Sequence, residues 1–179
     1  DLWYIKNVCE LSRYDWVVQL SSLAASGNFE AVDLLNSRLS NWVEENQPYK
    51  GVNWKCGQEA SIRVMHLIFS SLLLGQLKNP SSQLLNLVEM HIKRIGPTLS
   101  YAIAQNNNHG TSEAAALFIG GHFLSINGKK EYKKFEKMVE LLKAHEQKVN
   151  SAYDLKIDLI DFTDDLQSVV SILLEESYG

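Results

Sequence analysis

The sequence has 179 residues, of which 45% are hydrophobic and 21% are charged, and this balance excludes an intrinsically disordered chain. The net charge of −4 provides no general basic field, so we expect no nucleic-acid partner. Only three prolines interrupt long runs of helix-forming residues, which favours an all-α fold in a single domain over residues 1–179.

The first half of the chain predicts three helices. Apolar residues at spacings of three and four predict one helix over residues 2–25, ended by Gly27-Asn28, and a second over residues 29–43. The short connection between them predicts a helical hairpin. A third helix over residues 57–77 is apolar nearly all round, so we expect it to be an inner helix. Its most apolar stretch, Val64 to Gly75, is too short to span a bilayer, and no membrane partner is expected.

Four further helices are predicted in the second half, each separated from the next by Gly, Pro or Asn. The first covers residues 84–95, the third residues 129–149 and the fourth residues 154–176. The second begins after the block Asn106–His109 and ends at Asn127-Gly128. The sequence Asn79-Pro80-Ser81-Ser82 caps the first of the four. Gly96-Pro97 is expected to kink or interrupt the chain directly after it.

Seven helices joined by short loops, alternately amphipathic and broadly apolar, are typical of stacked antiparallel hairpins. An α-solenoid and a closed α/α-toroid both produce this pattern. The chain shows no fixed-length repeat of the tetratricopeptide, ankyrin or HEAT type, which disfavours the ordinary solenoid families. The choice between the two architectures therefore depends on motifs.

The polar block Asn106-Asn107-Asn108-His109 precedes an apolar helix rich in small residues. Side-chain donors from Asn108 and His109, together with the first-turn N–H groups, favour an anion such as a carboxylate at the start of this helix. The alternative is that the asparagines only cap the helix, while His109 and Glu113 form an intrahelical pair at the spacing i, i+4.

Three segments resemble, in family order, motifs of the heparinase II/III-like polysaccharide lyases and their alginate-lyase relatives. The motif Asn-Asn-His-x-x-x-Glu-Ala-x-Ala-Leu occupies residues 107–117. Upstream lie Glu10-Leu11-Ser12-Arg13 with Trp16, and Gly51-Val52-Asn53-Trp54 with Glu59 and Arg63. The resemblance covers about residues 1–125 and implies an incomplete α/α-toroid of antiparallel helical hairpins.

By this resemblance, the chain is the toroid portion of a lyase that cleaves uronic-acid-containing polysaccharide by β-elimination, secreted or periplasmic, although the sequence shows no signal peptide. Asn108 and His109 would be catalytic and would stabilise the charge that develops on the substrate carboxylate. Asn107 and Trp54 would bind substrate, Trp54 by stacking on a sugar ring. The family adds a C-terminal β-sandwich that we expect to be absent here, so the isolated chain is expected to be inactive.

The chain departs from the family at the catalytic tyrosine. Tyr153 is the nearest match, but the Asp-Gly loop of the family is missing and Asp154 stands where the family has histidine. Tyr153 is therefore a candidate acid whose alternative is an ordinary aromatic residue at the start of a helix. A noncatalytic carbohydrate-binding or helical scaffold module, and a solenoid that binds a protein, remain the competing functions.

Other polar residues have structural interpretations. His66, His91, His122 and His145 lack metal-ligand spacing, so no metal and no cofactor are expected. Glu59 and Arg63 lie one turn apart and are expected to form a structural ion pair. A lysine run is expected to be the solvated face of a helix, with attraction of an acidic polysaccharide as the alternative: Lys129, Lys130, Lys133, Lys134 and Lys137.

Overall fold

The computed structural model describes residues 12–153, and that part of the chain is helical with no strand, which confirms the all-α prediction for these residues. The α-helices are α1 Asp15–Ala25, α2 Phe29–Glu45, α3 Gly57–Leu73, α4 Ser82–Ile95, α5 Leu99–Ala104, α6 Asn108–Ile126 and α7 Met138–Tyr153. Three 3-10 helices cover Val52–Trp54, Gly96–Thr98 and Lys130–Lys137. The helix predicted over residues 154–176 lies outside the described residues.

Side-chain caps set several of the helix starts. The Asn28 side chain accepts a hydrogen bond from the backbone N–H of Ala31 at 3.2 Å, and Ser81 accepts one from Leu84 at 3.2 Å. Gly27, at φ 97°, provides the left-handed turn between α1 and α2. The predicted hairpin, the predicted cap of α4 and the interruption at Gly96-Pro97 are confirmed.

The prediction of one continuous helix over residues 2–25 is wrong at residue 14. Tyr14 has a left-handed backbone with φ 69°, so α1 begins only at Asp15. This conformation is costly for a residue with a side chain. It accompanies complete burial of the Tyr14 ring, whose centroid lies 4.9 Å from that of Trp42 and 5.8 Å from that of Trp16. Tertiary packing therefore overrides the helical pattern here.

The helix predicted over residues 129–149 is also divided, into the 3-10 helix Lys130–Lys137 and α7. Three residues per turn place side chains at i and i+3 on one face. Tyr132 and Phe135 accordingly stack, with centroids 6.3 Å apart, and both contact α6 at Gly121.

Helices α3 and α6 form the centre of the fold. Helix α3 contacts α1, α4 and α6, and α6 contacts α3, α4, α5, α7 and the 3-10 helix Lys130–Lys137. Both bury residues on most sides, which confirms that α3 is an inner helix. In α6, Gly120 faces Val64 and Ile92 so closely that a Cβ atom there would lie 2.5 Å from Ile92 Cδ1. Small residues thus allow the central helices to approach.

The end of α6 is fixed to the loop after α3. The Asn127 side-chain amide donates hydrogen bonds to the carbonyl oxygens of Phe123 at 2.8 Å and Leu77 at 2.9 Å. Gly128, at φ 94°, then turns the chain out of the helix. No helix within residues 12–153 has the length and apolar character needed to cross a bilayer.

Candidate functional site

The first turn of α6 carries the three candidate residues of the Asn-Asn-His motif. Asn107 is the N-cap, and its side-chain oxygen accepts a hydrogen bond from the His109 backbone N–H at 2.9 Å. Asn108 is exposed and His109 is half-buried. The capping alternative therefore holds for Asn107, while the side chains of Asn108 and His109 lie at a helix N-terminus within reach of solvent.

Glu113 lies one turn further along α6 and is 3% exposed. Its carboxylate contacts Gly57, the first residue of α3, so closely that no side-chain carbon would fit there. The hydroxyl oxygen of Thr98 lies 3.4 Å from Glu113 Oε2. Burial raises the pKa of Glu113, and the charge of His109 acts in the opposite direction. Glu113 and His109 are therefore close enough to interact electrostatically, as the i, i+4 alternative predicted.

Arg94, at the end of α4, joins this region to the 3-10 helix Val52–Trp54. Its guanidinium donates to the carbonyl oxygens of Trp54, at 2.6 Å, and Lys55, and to the Thr98 hydroxyl at 3.3 Å. The Asn-His segment and the Gly-x-Asn-Trp segment are thus connected through Arg94 and Thr98. Neither connecting residue was singled out from the sequence, since one basic residue in the last turn of a helix is an ordinary feature.

The expectation that Trp54 offers a ring face to a sugar is wrong, because Trp54 is only 2% exposed. Its indole N–H donates to the Asn46 carbonyl at 2.9 Å. The ring centroid lies 4.5 Å from that of His91 and 5.6 Å from that of Tyr49. The 3-10 turn directs the ring inward, where both its apolar faces and its polar N–H find partners.

Arg63 is fully buried and holds the same region together. It donates to the Asn53 carbonyl at 2.5 Å and to His91 Nε2 at 3.0 Å, and its guanidinium carbon lies 5.2 Å from the ring centroid of Trp42. This geometry agrees with a structural role for Arg63. The partner expected for it, Glu59, is instead paired with another residue.

Glu59 and Arg13 form a bidentate ion pair between the upstream Ser-Arg segment and α3. Arg13 Nε and Nη2 each lie 2.8 Å from a carboxylate oxygen of Glu59. Two parallel hydrogen bonds between a guanidinium and a carboxylate fix the relative orientation of the two groups as well as their distance. All three motif segments therefore meet at the start of α3. The Ser-Arg segment reaches it through the Arg13–Glu59 pair, the Gly-x-Asn-Trp segment directly precedes it, and the Asn-His segment reaches it through the contact of Glu113 with Gly57.

Tyr153 is the last residue of α7. Its side chain lies outside the described part of the structure, so its assignment as a catalytic acid stays a prediction.

The short helix α5 packs directly on the first turn of α6. A Cβ atom at Gly110 would lie 3.1 Å from the Ile103 Cα atom, so glycine allows this approach. Tyr101 on α5 is 68% exposed, and Ile103 is also exposed. Sequence reasoning missed Tyr101, because its exposure follows from the break at Gly96-Pro97 that separates α5 from α4.

Within residues 12–153, no group of three or more His, Cys, Asp or Glu side chains is arranged to hold a metal ion. No family model matches the chain, and neither a curated protein nor a solved structure matches it.

Proposed function

We propose that this chain is the toroid portion of a polysaccharide lyase that acts on uronic-acid-containing polysaccharide by β-elimination. The observation that carries the proposal is that two neighbouring residues with polar side chains, the exposed Asn108 and the half-buried His109, begin the 19-residue helix α6. The sequence motifs that resemble the lyase family meet around this helix through Arg94, Thr98 and Glu113.

The chemistry of β-elimination fits these groups. A base removes the proton at C5 of the uronate, negative charge then spreads onto the C6 carboxylate, and an acid protonates the departing O4. Donors that are already oriented toward that carboxylate stabilise the transition state more than the ground state. The Asn108 amide, the His109 imidazole and the helix dipole would supply this stabilisation.

Glu113 supports His109 in this proposal. Its buried carboxylate lies one turn from the imidazole. Burial raises the Glu113 pKa, and the interaction with His109 offsets part of this increase. An electrostatic interaction with this carboxylate would help to hold the imidazole in one orientation toward the substrate. Glu113 is itself held by Thr98 and by its contact with Gly57, so its position is fixed by packing.

Tyr101 replaces Trp54 in the proposal as the aromatic residue that contacts a sugar ring. It is exposed on α5, which packs against α6 at Gly110. An aromatic ring at such a position stacks on the apolar face of a sugar while its hydroxyl remains in water. The helical hairpins α1–α2 and α3–α4 are compatible with the proposed toroid.

Replacement of Asn108 tests the proposal. In the complete protein, Asn108→Ala is expected to slow formation of 4,5-unsaturated uronate by about 10²–10³, because one preorganised donor to developing charge is lost. Stability is expected to change by less than about 0.5 kcal/mol, since Asn108 is exposed. The measurement is the ultraviolet absorbance of the product on alginate-type and heparan-type substrates, with thermal unfolding in parallel.

Asn36→Ala is the matched control, because it removes the same side chain from an exposed position on α2. It is expected to retain full activity. A complete protein with no lyase activity on any uronate polymer would reject the lyase proposal. An Asn108→Ala protein with undiminished activity would reject the catalytic role of Asn108. The first result would favour the noncatalytic alternatives, and the burial of Trp54 agrees among these with a helical scaffold module.

A further inference from the structure

A groove outside the Asn108 site lies between the end of α4 and the 3-10 helix Lys130–Lys137. Its volume is 440 Å³, which is in the range of ligand-binding clefts. Pro97, Tyr132 and Phe135 provide apolar lining, and Lys93, Lys134 and Glu131 provide charged lining. The groove thus combines an apolar surface with the Lys134 ammonium, the Glu131 carboxylate and the Lys93 ammonium, which is paired with Glu89 at 2.9 Å.

Positive charge is concentrated beside this groove. Residues 129–137 contain five lysines and two glutamates, a net charge of +3, whereas the whole chain carries −4. Lys130, Lys133, Lys134 and Lys137 are exposed, and no carboxylate of the described residues forms an ion pair with them. Lys129, by contrast, is paired with Glu89. The exposed lysines are therefore available to a polyanion that lies along this helix.

The 3-10 helix is held in place by its buried side. The Tyr132 hydroxyl donates to Glu89 at 2.7 Å, and Phe135 packs against Gly121 of α6. The Lys134 ammonium lies 5.2 Å from the Phe135 ring centroid, at the edge of the groove. The lysines are thus presented from a fixed backbone, so less conformational entropy is lost when a ligand binds.

The groove is linked to the candidate site through a single turn of chain. Gly96 and Pro97 line the groove, and the next residue, Thr98, contacts Glu113, one helical turn below His109. The groove and the candidate site are therefore adjacent along the chain.

We propose that this groove and the lysines of residues 130–137 form a second binding site for an acidic polysaccharide, distinct from the Asn108 site. The choice of an acidic polysaccharide as the ligand rests on the proposed function. The groove itself suits sugar rings that carry carboxylate or sulfate groups. The apolar lining suits the faces of pyranose rings, and the lysines suit the anionic substituents. An extended nucleic acid is less suited, because the positive charge is confined to one helix of an acidic protein.

Binding measurements on the full 179-residue chain test this site. The probes are size-defined oligosaccharides of alginate and of heparin, with neutral dextran, single-stranded DNA and vesicles containing anionic phospholipid as comparisons. At low ionic strength, Lys133→Gln/Lys134→Gln is expected to raise Kd for the acidic oligosaccharides by about tenfold, and added salt should reduce this difference. Neutral dextran is expected not to bind at this site.

Lys50→Gln/Lys78→Gln is the matched control, because it removes the same charge from exposed lysines elsewhere. It is expected to change Kd by less than about twofold. Glu131→Gln is expected to lower Kd by about two- to threefold, since it removes the carboxylate from the groove lining. A lower Kd in this variant would indicate a binding site, because damage to the fold would raise Kd.

Several outcomes would overturn the proposal: equal losses in the two lysine pairs, no binding of either acidic oligosaccharide, or tighter binding of DNA or vesicles than of the oligosaccharides. Its failure is distinguishable from that of the lyase proposal. If binding depends on Lys133 and Lys134 but the protein has no lyase activity, only the lyase proposal is rejected. Lyase activity that depends on Asn108, with binding that is insensitive to Lys133 and Lys134, rejects only the second site.

Discussion

The protonation state of His91 is determined by its two hydrogen-bond partners. His91 Nδ1 lies 2.8 Å from the Leu87 carbonyl, which can only accept, and Nε2 faces Arg63 Nε at 3.0 Å, which can only donate. The imidazole must therefore be neutral, with its proton on Nδ1. Burial lowers the His91 pKa to about 3, and the charge of Arg63 contributes to this decrease.

This neutral histidine is expected to make the protein sensitive to acid. The unfolded chain takes up a proton at His91 near pH 6.5, but the folded protein does so only near pH 3. The free energy of unfolding should thus fall as pH decreases from about 6.5 toward about 3, by up to about 1.4 kcal/mol per pH unit from this residue. Denaturant unfolding at several pH values measures the slope.

NMR of the folded protein provides a second and direct check. The ring nitrogens of His91 are expected to show the neutral Nδ1–H tautomer at pH 5. A charged His91 at that pH would contradict the prediction. His91→Gln is expected to flatten the dependence of stability on pH between about 6.5 and 5, even though it lowers stability overall.

The chemistry of individual residues could be predicted from the sequence only where it is local. The capping role of Asn107 and the proximity of Glu113 to His109 both depend on residues that lie within four positions of each other. Trp54 was misassigned, because its burial depends on Asn46, His91 and Tyr49, which approach only in the folded chain. The Glu59–Arg13 pair likewise joins residues 46 positions apart.

At the scale of the helices, the contact of α6 with α4 depends on Gly120. Gly120→Ala would place a Cβ atom 2.5 Å from Ile92 Cδ1 and 3.0 Å from Val64 Cγ1. We expect it to reduce the free energy of unfolding by about 1–3 kcal/mol, although alanine favours helix. Chemical denaturation of the single variant measures this loss.

A double-mutant cycle identifies the cause. Ile92→Val removes the Cδ1 atom and is expected to cost about 1 kcal/mol by itself. In the Gly120→Ala background it should cost less, or stabilise, because the close contact disappears. Strictly additive effects would show that steric overlap with Ile92 does not explain the destabilisation.

Helix boundaries followed from the sequence where caps and breakers mark them. As predicted, the chain turns at Gly27-Asn28, Ser81 caps α4, Gly96-Pro97 interrupts the chain and α6 ends at Asn127-Gly128, whereas the capping of α2 by Asn28 was not predicted. The start of α1 at Asp15 could not be predicted, because Tyr14 adopts a left-handed backbone in order to bury its ring. The 3-10 form of Lys130–Lys137 depends similarly on packing against α6, which local propensity does not encode.

At the scale of the whole molecule, stability should be greatest in α3 and α6. These helices contact most of the other elements and bury residues on most of their faces, whereas α2 buries only Ala31 and Leu35. We expect amides in the middle of α3 and α6 to exchange with solvent only on global unfolding, and amides of α2 to exchange at least about tenfold faster. Native-state hydrogen exchange measures this order.

Slower exchange in α2 than in α6 would contradict this description of the core. This order also bears on the proposed function, because the first turn of α6 carries Asn108 and His109. A site on a rigid helix keeps its donors oriented, which a site on a mobile loop does not. The sequence predicted that this helix and its polar start exist, but not that α6 would be central, since centrality depends on contacts among distant segments.

Asn127 also has a consequence for the ageing of the protein. An asparagine followed by glycine is the pair most prone to spontaneous deamidation, which replaces the amide nitrogen by oxygen. Here that nitrogen donates to both the Phe123 and the Leu77 carbonyls. The two hydrogen bonds restrain the amide, so we expect them to slow attack on it by the following backbone nitrogen. A deamidated chain would bring a carboxylate against two carbonyl oxygens, so chemical damage at this one position would loosen the end of α6.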